Sequence, residues 1–353
     1  MSRLFFHFKK VIYLLPLILF VIQARATVFE GLIDNRAIVM EVEKNDFGFY
    51  GQYFFKDEGK NRTLSSDLTK ENVLIEGDDD SGNLGFYFSK TTPPYKGFYF
   101  DKIKKIELPF EIFEIKSLPT DTNNSIALQN FSNNNIYEYL RQKTFSFDKT
   151  HTEKFQGYEI QWHKENNSNL SFFTRVPSSD ENLQDVIMIN NYLEIKFRQY
   201  ISQSFGCENK KYLIEPSFLN KNITSFYFSG SFICDNSYST NFYRELVNLD
   251  NATGQSLSLN DIVTLPKDIT LEKWIIEQLT DLYPVLMSDP ECPYQEETTW
   301  NKDNQIAWII TSQGIEFRPQ IEDMITICNA TDWAVLPFDV LREFKSSKNP
   351  LQL

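Results

Sequence analysis

Four cysteines, three histidines and 48 carboxylates are the side chains of this 353-residue sequence that could carry chemistry. Cys207, Cys234, Cys292 and Cys328 all fall in the second half. Thiolates and imidazoles together suggest zinc, but structural zinc sites use closely spaced ligand pairs and no C-x-x-C occurs. Only His151 and His163 lie beyond the N-terminal leader described below, so no metal and no other cofactor is expected. An even number of cysteines in an exported chain reads instead as two disulfides. Three pairings are possible. Cys207–Cys234 and Cys292–Cys328 are expected, because each joins sequence neighbours across one candidate strand pair. In the chain-entropy model such loops contribute about 3–4 kcal/mol per bridge.

Catalytic signatures are missing. There is no G-x-S-x-G elbow, H-E-x-x-H, phosphate loop or G-x-G-x-x-G. His163, in Gln161-Trp162-His163-Lys164, is a lone histidine near a strand end and reads as a surface residue rather than a base. Carboxylate pairs of the glycosidase kind are set by distance in space, so 48 acids are no evidence for one. Asp78-Asp79-Asp80 invites a calcium reading, but an EF-hand loop starting at Asp78 would need an acid at Gly82 and glycine at Asn83. That run reads as a solvated hairpin turn. No catalytic residue is assigned, and an enzyme is the less favoured of two readings.

The N-terminus has the layout of a secretory signal peptide. Arg3, Lys9 and Lys10 precede an uncharged apolar run from Val11 to Ile22, and Ala24-Arg25-Ala26 supplies an A-x-A cleavage site. The run is shorter than the roughly 20 residues a membrane-spanning helix needs. The competing reading is an uncleaved anchor. Cleavage after Ala26 removes four basic residues (Arg3, Lys9, Lys10, Arg25) and no acidic one, leaving 31 basic against 48 acidic and a net charge of −17. Such a charge disfavours nucleic acid and anionic membranes and would steer a cationic partner. The location expected is periplasmic or secreted, with no stable membrane insertion once the leader is gone.

The elements that must position any site follow from periodicity. From residue 27 to about 116 short apolar runs alternate with turn residues. Ala37–Val42, Gly48–Phe55, Asn72–Glu76, Gly85–Ser89, Gly97–Asp101 and Ile103–Leu108 read as strands of an antiparallel meander. Gly-Phe-Tyr-Phe occurs twice, at Gly85–Phe88 and Gly97–Phe100, 12 residues apart, which fits one strand, a turn and the next. Side chains alternate along a strand, so one aromatic set can be buried while the other stays half exposed. The rival reading is a ring platform for a sugar or partner chain. Residues 117–145 are rich in Asn and Ser and read as a linker.

Residues 146–353 mix periods. Tyr158–Trp162, Leu170–Arg175, Tyr212–Pro216, Ser225–Ile233, Phe242–Asn248, Ile306–Thr311, Gly314–Arg318 and Thr331–Leu336 are strand candidates. Val186, Ile189, Leu193, Phe197 and Tyr200 recur at helical spacing after a capping box at Ser178 and Glu181. A second helix is read from Leu271 to Tyr283, stopped by Pro284, and a short one after Pro337. Fold class is therefore α+β: an N-terminal β-meander domain and a C-terminal antiparallel sheet with two to three packed helices.

The later half also carries a resemblance. Ser225-Phe226-Tyr227-Phe228-Ser229, Val247-Asn248-Leu249-Asp250, Thr253-Gly254-Gln255-Ser256-Leu257-Ser258-Leu259-Asn260-Asp261-Ile262, Gly314-Ile315-Glu316-Phe317 and Val335-Leu336-Pro337-Phe338 follow in order. This succession, over roughly residues 146–345, resembles the extracytoplasmic domain of the lysozyme-sensing anti-sigma factor (RsiV type), which also occurs beside peptidoglycan deacetylase domains. Members often carry Gly-Gly-x-His-Pro where this chain has Cys234-Asp235-Asn236-Ser237-Tyr238, so no role tied to that segment carries over. What the resemblance implies is an α+β envelope module; it does not imply an activity. Its expected partner is a basic protein such as a lysozyme-type muramidase, or a peptidoglycan-related ligand. The alternative is a hydrolase or deacetylase acting on wall glycans.

Overall fold

The computed structural model describes residues 26–45, 48–67, 70, 72–77, 83–118, 125–166, 170–204, 208–233, 241–301, 306–320, 328, 331–347 and 349–351. The leader with Ala24, the Asp78–Asp80 turn, and the expected Cys207–Cys234 pair lie outside the described residues; Ala26 is exposed.

Strands dominate the first part because its sequence alternates between aromatic or β-branched residues and polar ones, with turn residues at short intervals. They are β1 (Thr27–Ile33), β2 (Arg36–Asn45), β3 (Gly48–Phe55), β4 (Arg62–Ser66), β5 (Val73–Glu76), β6 (Leu84–Lys90), β7 (Tyr95–Asp101) and β8 (Ile106–Glu114). Each pairs antiparallel with the next. β8 then returns to β1 (Gly31 opposite Ile112, Ile33 opposite Phe110), so the meander closes into a barrel. Closure removes the two exposed edges that an open meander would leave. The final strand starts at Ile106 rather than Ile103, because Lys105 has a positive φ of 55° and belongs to the turn.

The two Gly-Phe-Tyr-Phe copies lie side by side on β6 and β7, with Phe86 opposite Tyr99 and Tyr87 opposite Phe98. Phe86 is buried inside the barrel, while Tyr87 (47% exposed) and Phe98 (45%) face out. The glycines are needed for close approach. A Cβ on Gly97 would stand 1.8 Å from the Tyr87 carbonyl oxygen and 2.8 Å from the Phe110 ring. On Gly85 it would stand 2.2 Å from the Leu74 oxygen and 3.1 Å from the Phe100 ring. Each glycine thus lets a neighbouring strand bend in and a cross-strand aromatic lie over it, which is how curvature is built into a closing sheet.

Two helices, α1 (Ile126–Asn134) and α2 (Ile136–Gln142), occupy the Asn/Ser-rich span. Its polar residues act as caps: Ser125 accepts from the Leu128 amide and Asn135 from the Glu138 amide. Tyr137 of α2 packs edge-to-face on Phe54 (5.2 Å) beside Val39, on the outside of the barrel, and its hydroxyl bonds Asn61.

The largest sheet holds β9 (Phe147–Phe155), β10 (Tyr158–Glu165), β11 (Ser171–Arg175), β12 (Glu208–Leu219), β13 (Ile223–Ile233) and β14 (Asn241–Asp250), in the order β14-β13-β12-β11-β10-β9. Helix α3 (Leu183–Gln203) crosses from β11 to β12, so that pair is parallel (Ser171 opposite Leu213), a departure from the all-antiparallel expectation. Val186, Ile189, Leu193, Phe197 and Tyr200 are buried as their spacing predicts. The helix is capped by Asn182, not Ser178; the Ser178 amide and hydroxyl donate to Glu181 instead (3.1 and 2.8 Å). Helix α2 is tied to α3, because Gln142 donates to Ser202 (3.0 Å) and Arg198 to the Gln142 carbonyl (2.9 Å).

The C-terminal part comprises α4 (Leu259–Ile262), α5 (Leu271–Leu282), α6 (Pro284–Met287), α7 (Glu297–Trp300), β15 (Ala307–Ile310), β16 (Gly314–Arg318), β17 (Val335–Pro337) and α8 (Phe338–Glu343). Its three strands form a small antiparallel sheet around a core that includes Trp274, Trp300, Phe317 and Cys328. Cys292 and Cys328 are joined in a disulfide. It links the turn after α6 to the segment between β16 and β17, so it does not cross a strand pair. At a separation of 36 residues it contributes about 4 kcal/mol in the loop-entropy model. Among the described residues, no helix is long and apolar enough to cross a membrane.

Candidate binding site at the mouth of the barrel

Alternation decides what the barrel encloses. On β2 the inward positions are Ile38, Met40, Val42 and Lys44; on β8 they are Phe110, Ile112 and Glu114. Each strand therefore runs from an apolar interior to a polar tip at the same end.

The opposite end is plugged. Glu76 accepts hydrogen bonds from the Tyr53 hydroxyl (2.6 Å), the Tyr99 hydroxyl (3.2 Å) and Arg62 Nη1 (2.9 Å). The Arg62 guanidinium stands 5.4 Å from the Phe55 ring, and Arg36 caps the same ring at 3.8 Å. Burial, reinforced by the Glu76 charge, pushes the Tyr99 hydroxyl up to about 12 and Tyr53 higher still, so both phenols remain neutral donors. Above this floor an edge-to-face chain fills the middle: Tyr53 on Phe86 (5.0 Å), Phe86 on Phe110 (5.4 Å), Phe110 on Phe88 (5.0 Å).

Above the rings the barrel is open. A cavity of about 960 Å³ has Phe29, Met40, Val42, Leu74, Phe88 and Ile112 on its wall. Lys44, Ser66, Asp67, Lys70 and Asn72 stand on one side of the rim and Glu114 on the other. Ser66 is fixed by the Phe49 backbone, accepting from its amide (2.6 Å) and donating to its carbonyl (2.9 Å). Lys70 lies 4.0 Å from Asp67. The Lys44 ammonium lies 5.5 Å from the Phe49 ring centroid. The volume is at the upper end of small-molecule pockets, and eight strands are the number at which a barrel can hold one small ligand.

No family model and no curated protein matches the chain. Among solved structures, a member of the DUF3298 family from Bacteroides fragilis is similar over 59% of this chain and 95% of its own, at 16% identity and a TM-score of 0.31. This neighbour belongs to a family of unknown function and adds no support to the anti-sigma-factor resemblance.

The residues singled out for chemistry in the sequence are not brought together. His163 is half-buried rather than on the surface: its ring stacks on Phe172 (4.9 Å) and Nε2 meets Thr174 Oγ1 at 2.8 Å. Burial, with Lys149 nearby, holds its imidazole below the ordinary value. His151 stacks on Trp162 instead. Among the described residues, no three His, Cys, Asp or Glu side chains are grouped to hold a metal ion. A smaller cleft of about 160 Å³ lies beside Arg175 and Glu181, but these two are paired with each other and Arg175 also donates to Thr224 (2.7 Å). Sequence reasoning read Met40, Val42, Leu74 and Phe88 as strand residues but missed β1 and β4, and so the closure of the barrel; of the wall, Phe29 and Ile112 fell outside the strands it read. The available signal was the count of short strands, which reaches eight only with β1 and β4.

Proposed function

We propose that this chain is an exported, non-catalytic binding protein that holds a small apolar molecule in the mouth of its barrel. The observation that carries the reading is the one-ended cavity. Its wall is mainly apolar, its floor is closed by rings and by the hydrogen bonds Glu76 accepts, and its rim is polar. Such a cup removes apolar surface from water, at about 25 cal/mol per Å² buried, without rearranging the protein. Export is supported by the leader and by the disulfide, which persists in oxidising compartments.

The test is titration of the purified protein with the apolar fluorophore N-phenyl-1-naphthylamine. Saturable one-to-one binding is expected, weakened in Val42→Trp, whose indole would project into the cup and take up part of its apolar wall. The barrel has no tryptophan of its own, so the new indole also reports that the variant folds. Binding that is absent, or unchanged in Val42→Trp, refutes the reading. A basic lysozyme is the second arm: complex formation at low ionic strength, lost with added salt, is expected if the net charge of −17 steers a cationic muramidase.

A further inference from the structure

We infer that the molecule held in the cup is an anionic single-chain amphiphile, its alkyl chain lying along the barrel axis and its charged head at Lys44; the inference rests on the cup being the binding site. Charge is distributed along β2 and its neighbours in the way such a ligand requires. From Met40 to Val42 on β2, and across at Phe29, Phe88 and Ile112, the wall is hydrocarbon and rings, with the phenol of Tyr95 opposite Ile112 and Thr27 as its polar members. The next inward residue of β2 is Lys44. Met40 and Lys44 are four positions apart, about 13 Å along the strand at 3.3 Å or so per residue, which is roughly 10 Å along the axis of a barrel whose strands tilt by about 40°. A slot of that depth with its cations gathered on one side of the mouth suits a chain better than a compact ring system.

The sign of the head follows from the rim. On the side formed by β2 to β5 stand two cations, Lys44 at the end of β2 and Lys70 in the β4–β5 connection, with Ser66 and Asn72 on the same side of the rim. The acid described on that side, Asp67, faces Lys70 at 4.0 Å. Among the described residues Lys44 is engaged by the Phe49 ring and by no carboxylate. Glu114 stands on β8, beyond β1 from β2, and would repel an anionic head placed on its own side. An anion is therefore drawn to Lys44 and away from Glu114, which orients the ligand as well as retaining it. Phe49, 47% exposed at the edge of the cup, supplies a face for the first methylenes beneath the head. The shared chemistry is a chain bearing a terminal anion, whether carboxylate or phosphate.

The experiment is calorimetry, with displacement of N-phenyl-1-naphthylamine, using dodecanoate, dodecyl phosphate, dodecanol and dodecyltrimethylammonium below their micellar concentrations. The two anions should bind about tenfold tighter than dodecanol, the low end for a charge-assisted hydrogen bond at an exposed site, and the cation weakest. Lys44→Gln should bring the anions to the dodecanol level and leave dodecanol unchanged. Shortening the chain should weaken binding about fourfold per methylene while the chain is still within the cup. Whichever of carboxylate and phosphate binds tighter identifies the head. Dodecanol binding as tightly as the anions, or Lys44→Gln without effect, overturns the inference and leaves the cup standing. Failure of all four ligands and of the fluorophore overturns the cup itself.

Discussion

Gly97→Ala tests the closing of the barrel at its tightest point. The added methyl would sit 1.8 Å from the Tyr87 carbonyl oxygen, a backbone atom that no rotamer change can move. Ordinary contact requires about 3.5 Å, so β6 and β7 must part by on the order of an ångström or more. Backbone hydrogen bonds stretched that far beyond their usual 2.9 Å or so are lost. Two such bonds at about 1 kcal/mol each, with an overpacking cost of about 1–3 kcal/mol, outweigh the 0.4–1 kcal/mol or so gained by restricting the unfolded chain. The expected net loss is about 2–4 kcal/mol, which for a barrel of this size lowers its midpoint by roughly 10–30 °C. All five tryptophans (Trp162, Trp274, Trp300, Trp308, Trp333) lie outside the barrel, so their fluorescence follows the rest of the chain. Hydrogen exchange of peptides from β6, β7 and β8 reads the barrel itself. Gly157→Ala is the control: nothing lies within 4 Å of its Cβ site, so only the backbone strain of φ +88° is paid, about 1–2 kcal/mol. If Gly97→Ala exchanged its β6 and β7 amides no faster than the wild type, the close-approach argument would be wrong.

Two further outcomes follow from buried polar groups in the large sheet. Arg175 and Glu181 form an ion pair with side chains 1% and 3% exposed, and burial already lowers the Arg175 pKa. Glu181→Gln should therefore cost about 3–5 kcal/mol in urea denaturation followed by tryptophan fluorescence, while Arg175→Met with Glu181→Leu should recover most of it. Equal losses in the single and double variants would refute this. His163 is held below its ordinary pKa by burial, so the unfolded chain takes up a proton before the folded one does. Its contribution is present above about pH 6.5 and is lost as pH falls from there towards the folded value. His163→Gln should flatten the fall in stability between roughly pH 7 and pH 5, and an unchanged slope would assign that fall to other groups.

Helix α3 was legible because its determinants are local. Apolar residues at intervals of three and four define one face whatever that face meets. Its true cap was not legible, because Ser178 and Glu181 have capping-box spacing and only the tertiary fold recruits Glu181 to Arg175. The parallel pairing of β11 and β12 could have been read from the long helix between two strands. Among the cysteines, Cys292 and Cys328 were correctly paired, although the bridge joins loops rather than strands.

By itself the amino-acid sequence determined the class of this protein: a leader-like start, short strands ahead of a mixed α+β half, an even cysteine count and no catalytic signature. It could not reveal the cup. In β1 the outward Val28 and Leu32 are as apolar as the inward Phe29 and Ile33, so the alternation is hidden; Val28 faces out because it packs with Tyr137 of α2. Only the tertiary structure brings β8 back onto β1 and sets Lys44 above a hydrocarbon wall drawn from several strands. The physical reason is range. Periodicity and turn chemistry act over a few residues, whereas an enclosed volume exists only after strands far apart in sequence have paired.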